Sequence, residues 1–295
     1  MNILVTGANG QLGSELRGVA VRSKQGDTWL FTDVGELDIC DETAVELFVK
    51  TNDVEVIVNC AAYTNVNGAE TNAGLCDRLN HLAPGNLARV AAKTFCRLVH
   101  ISTDYVFNGC HFLPYTENDE PCPDSVYGAT KLAGEQLVQA IHPQAVIIRT
   151  AWLYSSFGNN FVKTMLRIGR EKPSAGVVFD QIGTPTYARD LAEAIDRIIH
   201  CVAWIPGIYH YSNEGVCSWY DFALAIHEYA GIAGRCAVRP LHTADYPTPA
   251  RRPPYSVLDK TKIKNIYGVA VPHWTVSLRA CIEELIKQEA DNKNE

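Results

Sequence analysis

Met1-Asn2-Ile3-Leu4-Val5-Thr6-Gly7-Ala8-Asn9-Gly10-Gln11-Leu12-Gly13 opens the chain and decides its fold. Ile3 to Thr6 is a short apolar and β-branched run that reads as a buried strand. Glycines follow at 7, 10 and 13, and Leu12 to Ala20 then reads as a helix. Their spacing, Gly-x-x-Gly-x-x-Gly, is a shifted relative of the Gly-x-Gly-x-x-Gly turn that cradles a dinucleotide pyrophosphate. Gly7 permits the tight turn out of the strand. Gly10 lets backbone N–H groups approach phosphate oxygens, and Gly13 lets the helix pack closely on the strand. Asp33 ends a second strand, Trp29 to Thr32, 20 residues beyond Gly13. That is the expected spacing for a carboxylate on the adenosine ribose, where it repels a 2′-phosphate and leans the cofactor choice towards NADH or dual use with NADPH.

Outward from this unit, strands and helices alternate. Asp41 to Lys50 reads as a helix with Asp41 as N-cap and Ala44, Leu47 and Phe48 on one face. Val54 to Asn59 reads as a third strand and Leu98 to Ser102 as a fourth. Cys76 to Lys93 between them is helical in pattern, with Pro84 as a bend. Tyr127 to Ala140 is the next helix and Ala145 to Arg149 the next strand. This order predicts an α/β fold, a Rossmann-type doubly wound parallel sheet over residues 1–150. Beyond it the pattern loosens into a smaller C-terminal lobe over 151–295, from which later segments can return to the sheet. Short helices are expected around Tyr220 to Ala230 and Leu278 to Gln288, and a frayed tail at 292–295.

Composition excludes several classes. The 295 residues are 47% hydrophobic and 20% charged, ordinary for a globular protein, and the net charge of −7 with interspersed signs argues against nucleic acid as a partner. No apolar run approaches the roughly 20 residues of a membrane span, and the N-terminus has no signal-peptide pattern. The ten cysteines contain no Cys-x-x-Cys and read as reduced thiols of a cytoplasmic protein.

The chemistry is carried by Tyr127-Gly128-Ala129-Thr130-Lys131. Tyr and Lys at i and i+4 project from one helix face, so Lys131 is expected to lower the Tyr127 phenol pKa and make it a proton donor near neutral pH. Ile101-Ser102-Thr103-Asp104-Tyr105 ends the fourth strand, at the edge where open α/β sheets bind ligands, and the Thr103 hydroxyl can hold a substrate carbonyl oxygen.

Together these residues resemble the extended short-chain dehydrogenase/reductase family, in its nucleotide-sugar branch. The resemblance spans essentially the whole chain. It is also carried by Asn59 to Thr64, Tyr127 to Glu135, Arg149 to Trp152, Asp180 to Thr186 and Arg252 to Ser256. It implies Gly10, Gln11 and Leu12 on the pyrophosphate, Asp33 on the ribose, Asp38 and Ile39 by the adenine, and Ala61, Ala62 and Tyr63 along the cofactor. Thr103, Tyr127 and Lys131 are implied as the catalytic set. Asp104, Tyr105, Val106 and Trp152 would shape a sugar pocket, and Arg252 would meet the diphosphate of a dTDP-sugar reduced at C4. Dehydratases of the branch carry Asp-Glu after the threonine. Here Asp104 is followed by Tyr105, so the elimination acid is missing. An epimerase, a reductase of another nucleotide sugar and a non-catalytic regulatory subunit of the same fold stay as alternatives. Reductases of the family can form homodimers through a carboxylate-held metal, Mg2+. Glu15 matches one such position; the other ligands cannot be placed, and the metal stays open.

Overall fold

The computed structural model describes residues 1–23 and 25–291; the expected fraying at 292–295 lies outside them. Six parallel strands form the central sheet: β1 (Asn2–Thr6), β2 (Thr28–Thr32), β3 (Val56–Asn59), β4 (Arg97–Thr103), β5 (Val146–Thr150) and β6 (Gly207–His210). They lie in the order β6-β5-β4-β3-β1-β2. The chain runs outward from β1 to β2 and then crosses back to β3, so the topological switch falls between β1 and β3. Ligands enter such sheets at that crevice, beyond the strand carboxyl ends.

Each central strand is apolar on both faces because helices cover both. Ile3, Val5, Val56, Val58, Val146 and Ile148 point into one core. Leu4, Ile57, Leu98 and Ile147 point into the other, as the two-residue period of a strand requires. The first core is sealed by α1 (Gln11–Arg22) through Leu12 and Leu16, and by a later helix, Ala188–Ile199, through Leu191 and Ile195. The second is sealed by α2 (Glu42–Thr51) and α3 (Ala83–Thr94).

Asp41 caps α2 by accepting from the Ala44 N–H at 3.0 Å, as expected. Its buried face differs from the expected one. Val45 and Val49 point inward, whereas Leu47 is 66% exposed. Three apolar residues lie on adjoining stripes of this helix, and the tertiary partner, not the pattern, selects the stripe. The stretch expected as one helix from Cys76 to Lys93 is helical from Ala73 to Thr94, with a π-type turn over Arg78–Leu82 that leads into α3 and its Pro84. The junction residues Asp77, Arg78, Leu82 and Ala83 all keep helical backbone angles, so the stretch is helical throughout as expected, and Pro84 sits just after the π-type turn, where the altered hydrogen-bond ladder accommodates its missing N–H.

After β5 the chain builds a second lobe around a helix at Phe161–Glu171, another at Trp219–Tyr229 and a C-terminal helix at Trp274–Asp291. The last is longer than Leu278 to Gln288, since buried Trp274 anchors an extra turn. The lobe has its own core of Val162, Leu166, Phe222, Ile226, Leu278 and Ile282. Between its parts the chain returns to the sheet. Ala188–Ile199 packs on α1, and β6 pairs with β5.

Candidate active site

A cleft of about 840 Å3 runs across the strand ends from Asp33 to Trp152. One end is backbone. Gly7 has φ +66°, and a Cβ there would lie 2.6 Å from Ala61 Cα on the neighbouring β3 turn. A Cβ on Gly13 would lie 2.5 Å from Ala8 Cα and 2.6 Å from the Gly7 carbonyl oxygen. Gly10 is the N-cap of α1 and, among the described residues, no side chain caps that end. First-turn N–H groups are therefore open to an anion. Asp33 ties β2 to this loop: its carboxylate accepts from the Asn9 N–H at 3.0 Å and the Val34 N–H at 2.8 Å. Gln11, Leu12, Asp38, Ile39, Ala61 and Ala62 line the same cleft. This glycine cradle, with a carboxylate at the second strand end, fits a nicotinamide dinucleotide.

Tyr63 contributes through its backbone. Asn80, inside the π-type turn, accepts from the Tyr63 N–H at 2.8 Å and donates to the Tyr63 carbonyl at 3.0 Å. This two-point clamp fixes the turn after β3 and was not foreseen. A buried asparagine in a helical run is its sequence signal, because such an amide must find partners.

The other end of the cleft holds the reactive side chains. Thr103 ends β4 and Asp104 opens the single 3-10 turn that follows it, while Tyr127 and Lys131 come from α4 (Val126–Ile141), N-capped by Ser125. Gly128 explains the sequence between them, since a Cβ there would strike the Tyr105 carbonyl oxygen. The helix can approach the strand end only at glycine. Tyr105 meets the Tyr127 ring edge-on at 5.4 Å. The Lys131 ammonium is buried and donates to the Ile101 carbonyl at 2.6 Å. Burial pushes it down to about 8, partly opposed by Glu135.

The expected lowering of the Tyr127 pKa is not found. Burial pushes the phenol above its ordinary value; the Thr103 hydroxyl near it opposes that rise and Asp104 adds to it. Desolvation of a group that becomes an anion outweighs a lysine whose own charge is committed to a backbone carbonyl. Asp104 is likewise raised by burial, to about 6, opposed by the nearby Ser256 and Thr103 hydroxyls. Its Oδ1 accepts from the Thr103 hydroxyl at 3.0 Å, and its Oδ2 has no partner among the described residues.

Beneath the site lies an ion pair absent from the expectations. Glu135 accepts from the Ser102 hydroxyl and from Arg149 Nε and Nη2, all buried. The Arg149 guanidinium also lies 5.1 Å over the Phe107 ring. An arginine inside the apolar strand Val146–Thr150 is the sequence signal, because a fully buried charge needs a paired partner.

The expected sugar-pocket residues divide. Asp104, Tyr105 and Trp152 line the cleft, whereas Val106 is fully buried in a small core with Phe107, Tyr115 and Leu258. Trp152 has φ +47° and its indole stacks on Trp219 at 3.6 Å, with interplanar angle 8°. Trp219 was not singled out. Arg252 donates to the Thr248 hydroxyl at 2.6 Å, and its charge acts on the Tyr105 phenol.

Glu15 does not fit a metal ligand. It is buried, accepts from the Ser155 hydroxyl at 2.7 Å and faces Arg189 Nε at 3.4 Å, so a cation already holds it. No group of three or more metal-binding side chains occurs among the described residues. No helix among them is long and apolar enough to cross a membrane.

A doubly wound sheet with a glycine cradle and a Tyr-Lys pair at its strand ends defines a short-chain dehydrogenase/reductase fold. The chain belongs to the family described as RmlD substrate binding domain, whose profile matches residues 1–287. It is 40% identical to dTDP-4-dehydrorhamnose reductase of Aggregatibacter actinomycetemcomitans, over 94% of this chain and 97% of that one. It superposes on a dTDP-4-dehydrorhamnose reductase from Clostridium acetobutylicum with TM-score 0.92 at 42% identity, covering 97% of this chain and 99% of that one. A Bacillus anthracis dTDP-4-dehydrorhamnose reductase in complex with NADP gives TM-score 0.91 at 39% identity, covering 96% and 99%.

Proposed function

We propose that the chain is a reductase that transfers hydride from NADPH or NADH to C4 of dTDP-4-dehydro-6-deoxy-L-mannose, giving dTDP-L-rhamnose. The observation that carries this reading is the meeting of Thr103, Tyr127 and Lys131 in one cleft with the glycine cradle. The dinucleotide, held by Gly7 to Gly13, Asp33 and the turn after β3, supplies the hydride when bound. The chain's residues handle the oxygen. With substrate bound, the Thr103 hydroxyl turns from Asp104 Oδ1 and donates to the carbonyl oxygen as negative charge develops on it. Tyr127, kept protonated by burial, gives that oxygen its proton. Lys131, predominantly charged at neutral pH, stabilises the phenolate left behind. The Trp152–Trp219 stack offers an apolar wall for the sugar, and Arg252 offers a guanidinium for the diphosphate.

The test follows NADPH and NADH absorbance with this protein and the 4-dehydro sugar, generated in place from dTDP-glucose by the two preceding enzymes. Oxidation that requires this protein, with dTDP-L-rhamnose as product, supports the reading. Conversion of a nucleotide sugar without net loss of reduced nucleotide would replace it with an epimerase. Tyr127→Phe is expected to lose at least about 100-fold in kcat, the usual size of a general-acid contribution.

A further inference from the structure

The adenosine end of the cleft has a cation that the dinucleotide reading has not used. We propose that Arg17 admits the 2′-phosphate of NADPH beside Asp33, so that this chain accepts both reduced nucleotides. The inference deepens the reductase reading above and rests on it.

Asp33 by itself favours NADH, because a carboxylate at the second strand end repels a 2′-phosphate. The residues that follow it, Val34 and Gly35, bring no cation. The cation comes from α1 instead. Helix side chains lean towards the N-terminus, so Arg17, in the second turn of α1, reaches back towards the glycine loop. Its Nη2 stands 3.5 Å from Asn9 Oδ1. The N–H of the same Asn9 donates to Asp33 Oδ2 at 3.0 Å. Arg17 and Asp33 therefore flank one residue of the cradle.

The strand below supports the same placement. The Arg17 guanidinium lies 4.5 Å over the Phe31 ring. Phe31 belongs to β2, the edge strand, two residues before Asp33. The two-residue period puts Phe31 and Asp33 on one side of that strand, so the ring seats the guanidinium on the face from which Asp33 reaches the loop. Both Asp33 oxygens already accept backbone N–H groups, from Asn9 and Val34. Arg17 is exposed and, among the described residues, has no carboxylate within ion-pair distance, whereas Arg22 further along α1 faces Glu193 at 3.4 Å. A guanidinium held on a ring and left without an anion keeps its N–H fork for phosphate oxygens. Two other cations line the cleft. Lys131 is committed to the Ile101 carbonyl at the catalytic end, and Arg78 enters from the π-type turn rather than from the glycine loop.

The test titrates NADPH and NADH separately, without sugar, into wild type, Arg17→Leu, Arg17→Lys and Arg78→Leu, read by nucleotide fluorescence. Wild type is expected to bind the two nucleotides within about tenfold of each other, as attraction to Arg17 offsets repulsion from Asp33. Arg17→Leu, which still covers Phe31, is expected to lose at least about tenfold for NADPH and to stay within about threefold for NADH. Arg17→Lys keeps the charge without the fork and should lose less NADPH affinity than Arg17→Leu. Competition by adenosine 2′,5′-bisphosphate and by 5′-AMP, which carry the adenosine end alone, should show the same contrast. Asp33→Asn should shift the preference towards NADPH. Equal losses of both nucleotides in Arg17→Leu, loss of neither, a wild type that excludes NADPH, or a selective NADPH loss in Arg78→Leu in place of Arg17→Leu overturns the assignment and leaves the reductase reading intact. A wild type that binds neither nucleotide overturns both.

Discussion

Arg149 and Glu135 meet side-on beneath the catalytic strand. Arg149 Nη2 stands 2.7 Å from Glu135 Oε2 and Nε 3.0 Å from Oε1, with both side chains at most 2% exposed. The pair joins β5 to α4, and through Ser102 it also holds β4 one residue before Thr103. Removing one partner leaves a buried charge alone. Arg149→Met is therefore expected to destabilise the fold by about 3–5 kcal/mol, read from urea unfolding. Arg149→Met combined with Glu135→Leu should recover much of that loss, because neither charge is then stranded.

Lys131 gives a pH dependence of stability. Its folded pKa of about 8 lies below its ordinary 10.5, so the unfolded chain binds more protons between those values. Stability from this residue therefore rises with pH from about 8 to about 10.5, and the penalty is fully present below 8. Lys131→Met should remove this slope. Denaturant unfolding of both proteins between pH 7 and 10 measures it, and parallel profiles would contradict it.

Gly13→Ala should separate folding from cofactor binding. Its Cβ would press on Ala8 Cα and the Gly7 carbonyl, the backbone that shapes the cradle. The loop must open, and NADPH affinity by fluorescence titration is expected to fall at least about tenfold, while the far core of the C-terminal lobe keeps its unfolding behaviour.

The Trp152–Trp219 stack should affect sugar rather than nucleotide. An aromatic pair contributes about 0.5–1.5 kcal/mol beyond its buried area, which converts to roughly 2- to 12-fold. Trp219→Leu is expected to raise the KM for the 4-dehydro sugar by at least that range with NADPH affinity unchanged. An equal effect on both would place the stack in general packing.

Local sequence carried the frame of this molecule. The glycine turn after Ile3 to Thr6, the carboxylate of Asp33 and the Tyr127–Lys131 pair each rest on contacts within a few residues or on a fixed spacing. What sequence could not display depends on residues far apart in the chain. Asn80 clamps Tyr63, Arg149 meets Glu135, and Trp219 lies on Trp152 only once the sheet and lobe have formed. The inward stripe of α2 was misassigned at Leu47 for the same reason. The Tyr127 pKa was expected to fall because a neighbouring lysine is visible in sequence, whereas the depth of burial that overrides it is not.

The position of β6 bears on how the chain is made. It closes the edge of β5, but the whole first part of the C-terminal lobe lies between Thr150 and Gly207. During synthesis, β5, with its fully buried run Val146 to Ile148, has one side unpaired until residue 210 has left the ribosome. For that interval the nascent sheet carries an open apolar edge of the kind that recruits foreign strands. The lobe must therefore begin to gather before the sheet beneath it is finished, and a chain broken off between the two would be a seed for aggregation rather than a smaller working domain.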